Sequence, residues 1–169
     1  MVSIGTSGVF LSFEEEECID YQGELHLFCH AVKDKLYSMG VTLAAGNSLN
    51  WYREAFAPNQ GFDTLLAEVG EVKPGSEGLL FTPYIVGERT PYTDSQIRGS
   101  CVGIDTRHRG KHFSRAVLEG ITFSLEETQL MMEERAHRHL VQMISVGGGA
   151  KNPDGLQMQA DIFNAEILT

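Results

Sequence analysis

The chain has 169 residues, 42% of them hydrophobic and 21% charged, with 18 glycines and 23 acidic against 13 basic side chains for a net charge of −10. That length suits one domain with a real core, and the composition excludes collagen, coiled coil and wholesale disorder. So acidic a chain offers little cationic surface to a phosphate backbone, which disfavours nucleic acid as a partner, and no apolar run approaches the roughly 18 residues that cross a bilayer, so no membrane partner is expected.

In chain order, Met1–Ile4 predicts a strand that runs through the tight turn Gly5-Thr6-Ser7-Gly8 into a second strand, Val9–Leu11. Glu14–Glu17 reads as a solvated acidic turn, Leu25–His30 as an alternating strand and Ser38–Thr42 as another extended piece. Leu43–Phe56 predicts a helix with a broad apolar face of Leu49, Trp51, Tyr52, Ala55 and Phe56. Phe62–Val69 predicts a second helix, Val72–Ser76 a loop and Gly78–Thr82 a buried strand. Tyr84–Arg98 is a long polar loop, and loops of that length in compact domains usually carry function. A strand follows at Ser100–Ile104, then a long helix over Gly110–Arg138 with a stripe of Phe113, Val117, Ile121 and Leu125. Leu140–Val146 reads as an apolar strand, Gly147-Gly148-Gly149-Ala150 as a turn, Asp154–Phe163 as a helix and Ile167–Leu168 as a last strand.

This alternation predicts an α/β fold over 1–169. The chain opens and closes on strands, which reads as a fragment cut from a larger protein. No basic segment precedes an apolar stretch at the start, so a cytoplasmic location is the expectation. Cys18, Cys29 and Cys101 fit neither a disulfide framework nor a zinc site and are expected as small buried hydrophobes.

Two glycine-rich turns carry the candidate chemistry. The triple glycine lies between a strand and a helix, where the backbone can approach a ligand and the helix presents free N–H groups. It lacks the Gly-Lys-Ser/Thr of a P-loop and the G-x-G-x-x-G spacing of a dinucleotide site. Gly5-Thr6-Ser7-Gly8 offers backbone amides and two hydroxyls that could embrace phosphate, or is an ordinary hairpin. Glu88 and Arg89, within Gly87–Pro91, either fasten the long loop by an ion pair or contact a substrate or a partner domain. Glu119 lies mid-helix among apolar residues and needs a partner such as Arg89 or Arg115. His26 with His30, and His108 with His112, have a four-residue interval but not the pattern of a metal-binding helix, so no metal ligand is assigned.

Taken together, Gly5–Gly8, Ala45–Trp51, Pro83–Pro91, Ala116–Gly120 and Gly147–Ala150 resemble the C-terminal half of the FGGY-family carbohydrate kinases, over essentially the whole chain. The Gly-Glu-Arg-Thr-Pro loop and its surroundings are most similar to the xylulokinase branch. The family's second signature falls on Gly99–Glu119, with Cys101 where a larger hydrophobe is usual. The resemblance implies an actin-like, ribonuclease H-like ATPase domain: a mixed sheet flanked by helices, the C-terminal member of a two-domain sugar kinase whose N-terminal, sugar-binding domain is absent here. It implies ATP as ligand, with Gly5 and Thr6 facing the β- and γ-phosphates, Gly46 and Asn50 lining the nucleotide pocket, and Gly148, Gly149, Ala150 and Asn152 bordering the adenosine. Mg2+ is expected with few or no ligands from this chain, and the catalytic base and most sugar contacts in the other half, so Asp94, Asp105 and Asp161 are not assigned that role. The implied reaction passes phosphate from ATP to a sugar, xylulose before gluconate, ribulose or glycerol. A non-catalytic actin-like assembly module is the other reading, and under either reading the exposed cleft face could pair two copies into a homodimer.

Overall fold

The computed structural model describes residues 1–14 and 20–169, so Glu15, Glu16, Glu17 and Cys18 lie outside the described residues. Strand β1 (Val2–Ile4) turns back into β2 (Gly8–Glu14) as an antiparallel hairpin with Ile4 opposite Gly8. Strand β4 (Leu36–Thr42) pairs with β2 and, on its other side, with the short β3 (His26–Cys29). Two later strands, β7 (Gln142–Gly147) and β8 (Glu166–Leu168), add in parallel beside β1. The result is a six-stranded mixed sheet in the order β3-β4-β2-β1-β7-β8.

Alternation decides the two faces of this sheet. Val2, Ile4, Phe10 and Met143 point into the core, under the 27-residue helix α3 (Gly110–Ala136) and the helix α4 (Pro153–Phe163). Phe10 meets Phe163 of α4 edge-on, with centroids 5.8 Å apart. The opposite face carries Leu11, Met39, Ile144 and a cross-strand row of Phe13, Tyr37 and Phe28, all half-buried or exposed. The expected stripe of α3 is buried at Val117, Ile121 and Leu125.

Helix α1 (Gly46–Phe56) begins three residues later than its apolar pattern predicts, because Leu43–Ala45 form the corner out of β4. Its buried line is Ser48 and Tyr52; Trp51 is 40% and Phe56 69% exposed, with Trp51 stacked on Phe81. The predicted helix over Phe62–Val69 is a single turn, α2 (Phe62–Leu65), followed by a 3-10 turn at Val69–Glu71. Leu65, Leu66 and Val69 supply the helical spacing, and all three reach the core from this irregular path. Strands β5 (Leu80–Thr82) and β6 (Ser100–Val102) form a separate two-stranded sheet beneath α3. Only Phe81 of β5 is buried and Leu80 faces solvent, which corrects the expectation of a buried strand.

Two other expectations are overturned. Cys29 and Cys101 are exposed, because each sits on an edge strand. Glu14, read as part of a solvated turn, is buried at the end of β2. Its carboxylate accepts hydrogen bonds from the Tyr21 hydroxyl at 2.6 Å and from Ser38, and pairs with Arg138 at 3.1 Å. The four groups satisfy one another, as burial of a charge demands.

Candidate functional site

The first glycine turn is built by its neighbours. Gly5 N–H donates to the Ser7 carbonyl at 3.0 Å, which leaves Thr6 alone at the hairpin tip. The start of α1 then docks onto this tip. Gly46 N–H donates to the Gly5 carbonyl at 2.8 Å, and the N–H groups of Ala45 and Asn47 donate to the Thr6 carbonyl at 3.1 and 3.0 Å. The first amides of a helix ordinarily lack partners; here the turn supplies them. A Cβ on Gly46 would collide with the Gly5 carbonyl oxygen, so the approach requires glycine. The amide N–H groups of Thr6 and Ser7 find no backbone acceptor among the described residues, and both residues add a hydroxyl. Backbone dipoles and hydroxyls at such a tip suit an anion.

The second turn meets the same place from β7. Ile4, the last residue of β1, lies opposite Gly147. The three glycines then do three different things. Gly147 has φ +87° and a Cβ there would stand 2.7 Å from the Ile4 carbonyl oxygen. At Gly149 a Cβ would stand 2.6 Å from the Ile4 Cβ. Gly148 is open, its nearest neighbour 3.8 Å away. Gln159 of α4 ties the turn down, donating to the Gly149 carbonyl at 3.1 Å while accepting the Ser145 hydroxyl at 2.7 Å. Ala150 ends the 3-10 turn Gly148–Ala150. Asn152 caps α4, its Oδ1 accepting from Gly155 N–H at 2.8 Å. Asn50, one turn beyond Gly46 on α1, is held at both ends of its amide: Nδ2 donates to Glu54 at 2.9 Å, and Arg53 donates to Oδ1 at 3.1 Å.

Gly5, Thr6 and Gly46 are thus in direct contact, and Ile4 joins them to the triple glycine. Asn50 follows Gly46 along α1 and Asn152 follows the triple glycine, and each is engaged in local hydrogen bonds of its own. No group of three or more His, Cys, Asp or Glu side chains that could hold a metal occurs among the described residues. His108 and His112 accept hydrogen bonds through Nδ1 from the N–H groups of Asp105 at 3.1 Å and Arg109 at 2.9 Å, which shape the start of α3. A pocket of about 350 Å³ between Lys73, Arg115 and Asp154, and another of about 310 Å³ between Trp51, Phe81 and Cys101, contain none of the expected site residues.

One sequence alternative is resolved and another is narrowed. Glu119 pairs with Arg115, not Arg89, at 2.7 Å and fully within the core. Glu88 fastens the long loop through hydrogen bonds rather than an ion pair with Arg89, whose side chain is exposed. The residues that sequence reasoning missed are Ile4, Leu43 and Gln159, because each acts on a segment in a different element of the fold.

A family model described as the FGGY family of carbohydrate kinases, C-terminal domain, matches residues 1–169. A xylulose kinase of Lactococcus lactis is 61% identical over 99% of this chain and 33% of its own length. One from Bacillus subtilis is 55% identical over 99% of this chain and 34% of its own. A solved ligand-bound xylulose kinase from Lactobacillus acidophilus superposes with a TM-score of 0.88 at 30% identity, covering 98% of this chain and 34% of that one. The chain therefore spans about a third of the length of the curated relatives it matches. The mixed sheet with flanking helices is the actin-like ATPase fold of these neighbours.

Proposed function

Because the chain belongs to the FGGY family of carbohydrate kinases, as a C-terminal domain of that family, we propose that it is the nucleotide-binding part of an ATP-dependent xylulose kinase. The parent reaction transfers the γ-phosphoryl group of ATP to the 5-hydroxyl of D-xylulose, giving ADP and D-xylulose 5-phosphate. The observation that carries this reading is the meeting of two glycine turns and the start of α1 around Ile4. The choice of sugar rests on the two bacterial xylulose kinases.

In this reading the free amides and hydroxyls of Thr6 and Ser7 hold the β- and γ-phosphates, with Gly5 shaping the tip. Gly46 and Asn50 line the pocket along α1, and Gly148, Gly149, Ala150 and Asn152 border the adenosine. A cradle closed to any side chain at Gly46, with open space at Gly148, fits a nucleotide backbone laid across both turns. Mg2+ would neutralise charge on the phosphate oxygens, with few or no ligands from this chain. The base and the sugar contacts belong to the remainder of the enzyme. What this chain contributes is orientation and charge stabilisation, which dominate phosphoryl transfer.

Calorimetric titration with ATP and ADP, on the full-length enzyme and on residues 1–169, tests the reading. Saturable binding by the full-length enzyme, with turnover of D-xylulose well above gluconate, ribulose or glycerol, is the expected result. The 169-residue chain alone is expected to phosphorylate no sugar. A folded full-length enzyme that binds no nucleotide would overturn the proposal.

A further inference from the structure

The loop Gly87–Pro91 is outside the nucleotide reading, yet its buried charge touches the frame of the phosphate turn. Glu88 is 4% exposed. Its Oε2 accepts the Thr42 hydroxyl at 2.8 Å, and its Oε1 accepts the N–H groups of Leu43 at 2.9 Å and Arg89 at 2.7 Å. All three donors are uncharged, so directional hydrogen bonds hold the carboxylate. The next residue but one continues the attachment: Thr90 N–H donates to the Val41 carbonyl at 3.1 Å, and Val41 N–H donates to Thr90 Oγ1 at 3.2 Å. The loop is fastened to the end of β4 and to the first amide of the corner.

That corner is short. Leu43 leads through Ala44 to Ala45, Gly46 and Asn47, whose N–H groups grip the carbonyls of Gly5 and Thr6. Thr42 itself lies opposite Gly8, where β2 leaves the same turn. The tip is therefore clamped between its own hairpin and a corner pinned by Glu88.

We infer that Glu88 is a positioning residue for the phosphate site: the place of its carboxylate, rather than its charge, sets the Leu43–Asn47 corner and so aims the amides of Thr6 and Ser7. This inference rests on the nucleotide reading of that turn.

Two substitutions in the full-length kinase separate place from charge. Glu88→Asp keeps the charge and withdraws the carboxylate by one methylene, about 1.5 Å. Glu88→Gln keeps length and shape; its carbonyl accepts the two amides, and the Thr42 hydroxyl can turn to accept from Nε2. Dissociation constants for ATP, ADP and adenosine are measured for each, with the melting temperature. Glu88→Asp is expected to weaken ATP and ADP about tenfold and adenosine by less than about twofold, while Glu88→Gln stays within about twofold for all three. Three results overturn the inference: Gln weakening ATP as much as Asp, adenosine lost in step with ATP, or no change with Asp. Should Glu88→Asp fail to fold, Thr42→Val removes one donor at nearly constant volume. It is expected to show the same phosphate-selective loss, about threefold, and equal effects on adenosine and ATP would overturn the inference. A wild-type enzyme that binds no nucleotide overturns both readings, whereas wild-type binding with any of the results above overturns this one alone.

Discussion

At the scale of the residue, Gly148 and Gly149 are adjacent and alike in sequence but not in what surrounds them. A side chain at Gly149 enters the Ile4 side chain, while one at Gly148 enters open space. Gly149→Val is therefore expected to lower both ATP affinity and stability, the latter by about 1–3 kcal/mol as overpacking does. Gly148→Val is expected to leave the melting temperature near wild type and to weaken ATP on the order of tenfold by obstructing its approach. Thermal melts paired with nucleotide titration distinguish the two, and equal destabilisation by both would contradict the geometry. The glycine turns were legible in the sequence because three glycines between a strand and a helix are a local signal. The contact of Gly149 with Ile4 was not, since it exists only once β1 and β7 lie side by side. Glu88 was singled out in the sequence with its role open, and only the corner at Leu43 shows which way it acts.

At the scale of the element, α3 is held by more than its apolar stripe. Arg115 and Glu119, one turn apart and both buried, join it to the segment below. Arg115 donates to the Val69 carbonyl at 3.1 Å, and Glu119 accepts from Gly75 N–H at 3.1 Å. Breaking such a pair leaves a buried charge without its partner. Arg115→Met is expected to cost about 3 kcal/mol, and the double change Arg115→Met with Glu119→Leu to recover much of it. Urea denaturation of the three variants measures the coupling; simple additivity would refute it. The four-residue interval made Arg115 readable as a partner once a helix was predicted. Periodicity served as well for α3, which is long and regular. It failed at Phe62–Val69, where three buried residues imitate helical spacing on an irregular path. It could not see that β5 and β6 leave the main sheet, because alternation says which side is buried and not which sheet a strand joins.

At the scale of the whole molecule, the far end of the sheet is tied to the residues just past α3 by the buried cluster of Glu14, Tyr21 and Ser38, closed off by the half-buried Arg138. Burial, and the hydrogen bond to Glu14, push the Tyr21 phenol up to about 12. The folded state then holds this proton more tightly than the unfolded chain does. The contribution is complete below pH 10 and is lost as pH rises from there through 12. Denaturant midpoints are expected to fall across that window, and Tyr21→Phe to flatten the fall; an unchanged slope in the variant would argue against the assignment. Tyr52, Tyr84 and Tyr92 are also raised, so part of the slope remains. The central place of β1 bears on how the molecule is made. It pairs on one side with β2, its immediate successor, and on the other with β7, near the opposite end of the sequence. The hairpin can close within microseconds, but β7 docks only after a long and entropically costly closure. Every partly folded species that lacks β7 has half a cradle, so on the nucleotide reading ATP recognises the finished chain alone and draws the refolding population towards it by mass action.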